Sequence, residues 1–139
     1  MSGLAAVLAH RKEAGIYRWH GHFKDEDVRH TVEHAGWAYG HLDGWEIEHK
    51  AEFLASIGEA LSFPGHYGQN LDALTDCLSD LPATALLWEG WSAFARAEPV
   101  PFHSALEVLA SHARDENTAP FVVLLRGEGP DLPEVDSLD

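Results

Sequence analysis

Residues 121–125, Phe-Val-Val-Leu-Leu, form an unbroken apolar run of strand length. Such a run has no side suited to water, so it belongs inside a sheet covered on both faces. That requirement constrains the chain more than any other feature, because it calls for helices layered on a mainly parallel sheet. Residues 85–88, Ala-Leu-Leu-Trp, are a second buried-strand candidate. With 139 residues, 45% of them hydrophobic and 23% charged, the chain has enough apolar material for one core.

The remaining pattern alternates strands with helices. Helical spacing over 2–13 (Leu4, Val7, Leu8) ends at Gly15, and 16–19 is short, β-branched and aromatic. Residues 25–34 read as a helix with Val28 and Val32 on one side. Large apolar residues alternate with small or polar ones over 37–42 and stop at the Asp43-Gly44 turn signal. An amphipathic helix over 49–61 places Phe53, Leu54, Ile57 and Leu61 together. Pro64-Gly65 and Gly68 then break the chain. Asn70 is a good N-cap for a helix reaching residue 81, closed by Pro82. Residues 102–114 carry an apolar face of Phe102, Leu106, Leu109, Ala110 and Ala113. This order predicts an α/β layered fold with right-handed crossovers. Residues 128–139, rich in Pro, Gly and acid, are expected to form a loose tail.

Charge narrows the function. Twenty-three acids against nine bases give a net charge of −14, which argues against nucleic acid as a direct ligand, since phosphate binding needs Lys and Arg. The surplus fits a partner that is itself basic, and it also serves solubility. Cys77 has no second cysteine to pair with, which suits a reducing compartment. The N-terminus has no secretory pattern and no stretch is long enough to span a bilayer, so a cytoplasmic location without a membrane partner is expected. No Gly-rich phosphate loop, nucleophile elbow or Cys pair occurs. The expectation is a binding protein with no cofactor, not an enzyme.

The segment around Asn70 sharpens that expectation. At 100° per residue, Leu71, Leu74, Cys77, Leu78 and Leu81 fall in one apolar sector, while Asp72, Asp76 and Asp80 recur at every fourth position opposite. Like charges at that spacing destabilise a helix by about 0.2–0.5 kcal/mol per pair. Asp80 also opposes the dipole at the C-terminus. Helix stability does not call for this stripe. It is either a solvated face or a surface presenting carboxylates to a cationic pocket, where each would accept charge-assisted hydrogen bonds.

Residues 64–81, PGHYGQNLDALTDCLSDL, resemble the loop-and-helix motif of the barstar family, intracellular inhibitors of secreted ribonucleases. The matching core is Tyr67, Gly68, Asn70, Leu71, Asp72, Ala73, Leu74, Asp76, Cys77 and Leu78. The likeness extends more weakly over about residues 37–125. It implies a barstar-like domain over 36–127, with residues 1–35 as an N-terminal addition packed on the same domain.

The resemblance also implies a one-to-one complex with a basic ribonuclease, whose active site the loop and acidic helix block. Asp76 would be the first contact and Asp72 the second, with His66, Tyr67, Gly68, Asn70, Leu71 and Thr75 around them. Asn70 serves equally well as a cap, and Gly68 through its backbone conformation. The chain has His66 where the family often carries an aromatic, and Thr75 where barstar has a tryptophan. Arg114, Asp115 and Glu116 straddle the family's further acidic contact without a clear register. Secreted nucleases and ribonuclease toxins are both candidate targets.

Two other readings remain. One is an immunity or regulatory module of this fold whose partner is not a nuclease. The other is a zinc hydrolase, because His30, Glu33 and His34 match H-x-x-E-H, in which two histidines one turn apart share a metal; His20 and His22 are near enough in sequence to add a ligand.

Overall fold

A computed structural model describes all 139 residues. The elements run α1 (Ser2–Leu8), β1 (Ile16–Trp19), α2 (Asp25–His34), β2 (Ala38–Asp43), α3 (Lys50–Ala60) and α4 (Leu71–Ser79). They continue β3 (Thr84–Glu89), α5 (Ser92–Ala97), α6 (Pro99–Arg114), β4 (Phe121–Arg126) and β5 (Asp136–Leu138). The apolar run at 121–125 becomes β4, the middle strand of a five-stranded sheet ordered β2-β3-β4-β1-β5. Every pairing is parallel. The α/β expectation therefore holds.

Alternation along the strands divides their side chains between two cores. Leu86, Trp88, Phe121, Val123 and Leu125 lie with residues of α3 to α6, including Phe53, Leu74, Phe94 and Phe102. Ala85, Leu87, Val122 and Leu124 lie on the opposite face with Leu4 and Val7 of α1 and Val28 and Val32 of α2. Both faces are covered, as the apolar run demanded. The path from β2 through β3 to β4 crosses one face and the path from β1 to β2 crosses the other. Right-handed crossovers in opposite directions require that arrangement.

The N-terminal segment is part of this sheet, since β1 pairs with β4 on one side and β5 on the other. Only Glu98 separates α5 from α6, and the residue pattern predicts no helix over 92–97. Pro99 opens α6, where its missing N–H leaves no helical bond unmade. Helix α1 is shorter than its spacing implied, ending at Leu8 before His10 adopts a left-handed φ of 61°.

The expected loose tail is corrected. Asp136–Leu138 adds to the free edge of β1, with Tyr17, Arg18 and Trp19 opposite Asp136, Ser137 and Leu138. Leu132 and Leu138 are buried. The edge of β1 offers unpaired backbone groups, and two leucines are enough to anchor the strand that satisfies them. No helix is long and apolar enough to cross a membrane.

Candidate functional site

Helix α4 is built as its spacing predicts. Leu74 and Leu78 are completely buried, Leu71 and Cys77 are half-buried, and Asp72, Asp76 and Asp80 are exposed. Asn70 caps the helix, its Oδ1 accepting the Ala73 N–H at 2.8 Å. Thr75 and Ser79 donate their hydroxyls back to the carbonyls of Leu71 and Thr75, each at 3.0 Å. These two side chains are thereby turned along the helix surface. No Lys, Arg or His lies within 4.0 Å of Asp72, Asp76 or Asp80. The stripe is left with its charge unanswered on a capped, well-packed helix.

The loop before α4 is held from beneath by Tyr67. Its ring meets Phe63 edge-on, with centroids 5.0 Å apart, and lies over Gly58 of α3. Its hydroxyl is buried without a hydrogen-bond partner. Burial, followed by the nearby Cys77 sulfur, pushes the phenol up to about 12. Tyr67 thus points inward as the anchor of the loop, while His66, Gly68, Gln69 and Asn70 stay exposed. Gly68 does not have a left-handed backbone; that conformation falls on Gln69, at φ 51°. Of the two roles open for Gly68, the backbone one is therefore not required by φ. Cys77 has its thiol pushed up by burial and then by Asp80 and Asp76, which suits a packing residue.

A groove of about 300 Å³ runs between α4 and α6, bordered by Thr75 and Ser79 on one side and Glu107, Ser111 and Asp115 on the other. Asp115 is thereby brought beside the acidic helix, although 35 residues of sequence separate it from Asp80. Arg114 donates to Glu107 at 3.0 Å, and Glu116 does not border the groove. The residue pattern alone had no means of choosing among these three.

The histidine pair at 30 and 34 does not gather a metal site. The rings stack at 6.0 Å on the outer surface of α2, and Glu33 lies 4.0 Å from Arg29. No three His, Cys, Asp or Glu side chains in the chain are placed to hold a metal ion together.

Residues 37–126 match the family model described as Barstar (barnase inhibitor). A 49-residue stretch, 33% of this chain, is 43% identical to "Putative ribonuclease inhibitor YrdF" of Bacillus subtilis (strain 168), covering 54% of that protein. The chain thus spans about half the length of the curated relative it matches.

Proposed function

The chain belongs to the barstar family, a family of inhibitors and not of enzymes, and from that premise we propose that it inhibits a ribonuclease by covering the active site with loop 64–70 and α4. The family match and the name of the relative support the ribonuclease-inhibitor role. The observation that carries the finer reading is the unpaired stripe of Asp72 and Asp76 on a rigidly capped helix. A ribonuclease cleft that holds RNA phosphates presents Arg, Lys and His, and each carboxylate occupies a phosphate position there. The groups make charge-assisted hydrogen bonds without any bond being made or broken, so inhibition is stoichiometric and reversible.

Asp76, in the middle of the stripe, is the principal contact and Asp72 the second. Asp80 lies past the end of α4 and serves as a bystander. His66, Gly68, Asn70, Leu71 and Thr75 frame the contact, and Tyr67 sets the height of the loop from below. Asp115, across the groove from Thr75, supplies a further carboxylate to the same partner. The partner is a basic ribonuclease bound one to one.

The test is an RNA-cleavage assay with a barnase-type ribonuclease, titrated with this protein at two salt concentrations. A sharp equivalence point at one-to-one, with weaker binding at higher salt as exposed charges are screened, is the expected result. Full nuclease activity at a large excess of this protein over each basic ribonuclease tried overturns the proposal.

A further inference from the structure

The carboxyl ends of β1, β3 and β4 enclose a second concave surface, which shares no residue with loop 64–70 or α4. Strands β4 and β1 are neighbours, but the chain leaves them toward opposite faces. After β4 it sends Leu132 and Val135 into the core beneath α3 to α6. After β1 it leads into α2, whose Val28 and Val32 belong to the other core. Where adjacent parallel strands part in this way, neither connection covers the strand ends between them. Open α/β sheets hold small ligands in the crevice so formed. Here it measures about 490 Å³.

The walls have a definite chemistry. Across the crevice from one another stand Arg18 and Arg126, with His20, His22, Glu89 and Glu128 around them. Arg126 is fully engaged: Nε and Nη2 donate to Glu89 at 3.2 and 3.1 Å, and Nη1 donates to the carbonyls of Gly21 and Phe23 at 3.2 and 2.6 Å. It fixes the loop that carries both histidines. Glu89 is also held by His41 at 2.9 Å. Burial raises its carboxyl, but the hydrogen bonds from Arg126 and His41 outweigh that and hold it below the usual range. Glu89 therefore stays charged and occupied with Arg126.

Arg18 is different. Its guanidinium stacks over Trp91 at 4.8 Å, and its one hydrogen bond is a long one, to the Gly127 carbonyl at 3.5 Å. No carboxylate lies within 4.0 Å of it. In a chain of net charge −14, this half-buried cation is oriented yet unneutralised. A second unmet donor lies at the wall: the Trp19 indole N–H is buried without an acceptor, and a Cβ at Gly21 would fall 2.8 Å from the ring carbon that bears it. The N-terminus of α2 does not contribute, because Asp25, Glu26 and Asp27 already fill its first turn.

We propose that this crevice binds a small molecule bearing a carboxylate or phosphate group, with Arg18 as the principal cation and His20 and His22 as flanking donors. The two groups share one recognition chemistry, a planar guanidinium fork meeting two oxygens. Glu128 stands in the same crevice and opposes the ligand's charge. The site is independent of the inhibitory surface, and its failure would leave that reading untouched.

The test is titration of the full chain with inorganic phosphate and, separately, with citrate, at low ionic strength, followed by amide resonances. Saturable shifts at residues 18–22 and 127–128, with none at 70–79, are expected. Arg18→Gln should weaken binding roughly tenfold or more, as loss of a charged hydrogen bond does. Glu128→Gln, a surface change that leaves the Trp91 stack intact, should tighten it. A response to one probe alone identifies which group the site takes. No saturable shift below about 10 mM of either probe, or shifts that both variants leave unchanged, overturns the proposal.

Discussion

The Tyr67 ring lies so close to Gly58 that a Cβ at Gly58 would fall 2.7 Å from Cε2. This contact links the middle of α3 to the loop that opens the acidic surface. In the body of a helix, Gly→Ala ordinarily gains about 1 kcal/mol. Here the overpacking cost, about 1–3 kcal/mol, is set against that gain, because the ring is wedged against Phe63. Gly58→Ala should therefore be neutral to destabilising by denaturant unfolding. It should weaken ribonuclease binding by more than its stability change explains. A clear gain in stability would show that Tyr67 moves aside freely.

The aspartate stripe should separate stability from binding. Asp76→Ala removes two like-charge pairs, worth about 0.2–0.5 kcal/mol each, so the variant should melt at or above the parent temperature. Its inhibition of a basic ribonuclease should nonetheless fall tenfold or more, from the loss of charge-assisted hydrogen bonds of about 1.5–3 kcal/mol. Asp80→Ala should give the same sign in stability and little change in inhibition. Equal loss from the two substitutions would displace Asp76 from the centre of the contact.

Asn70→Ala should cost about 1 kcal/mol, the usual value of an N-cap whose side chain accepts a backbone N–H. Asn70→Gly should cost only a few tenths. If Asn70 acts on the partner only through this cap, the two variants should rank the same way in inhibition as in stability. A large loss of inhibition in Asn70→Gly at nearly parental stability would assign it a direct contact.

Stability should fall as the solution is acidified, in two stages. His112 is buried against Phe121 at 5.0 Å between ring centroids; burial lowers its pKa from 6.5, against a smaller opposing pull from Asp115. Its depressed value means the unfolded chain takes up the proton first, so its contribution is present above about pH 6.5 and is lost on going lower. Glu89 is likewise depressed below 4.5, so its contribution is lost at lower pH still. Denaturant midpoints measured from pH 7.5 to 5 should decline, and His112→Leu should flatten that decline. An unchanged slope in the variant would remove His112 as the cause.

Deleting residues 131–139 should destabilise the whole domain. It exposes the edge of β1 and removes Leu132 and Leu138, each worth at most about 1.5–3 kcal/mol of burial. A truncated chain that melts with the full one would mean that β5 adds nothing to the sheet.

How much of this was legible depended on how far the cause of each feature reaches along the chain. Helix α4 could be read almost whole, because its apolar sector repeats every turn and Asn70 acts on an N–H only three residues away. Strand β4 was equally plain, its five apolar residues leaving one environment open to them. The inward turn of Tyr67 was not legible, since it depends on the missing side chain of Gly58 on another helix. Nor was the place of Asp115, which only the packing of α6 beside α4 decides.

The sequence by itself determined the helices and strands other than α5 and β5, that both faces of the sheet must be covered, and that α4 carries an unrelieved acidic stripe. Periodicity, capping and burial are properties of neighbouring residues, so one chain read in order contains them. Tertiary structure alone decided that residues 136–138 join the edge of β1, that Tyr67 supports the loop, and that Arg18 stands unpaired at the strand ends. Each of those rests on which groups remain unsatisfied once all the elements are in place, and that depends on the finished arrangement of strands and not on any local pattern.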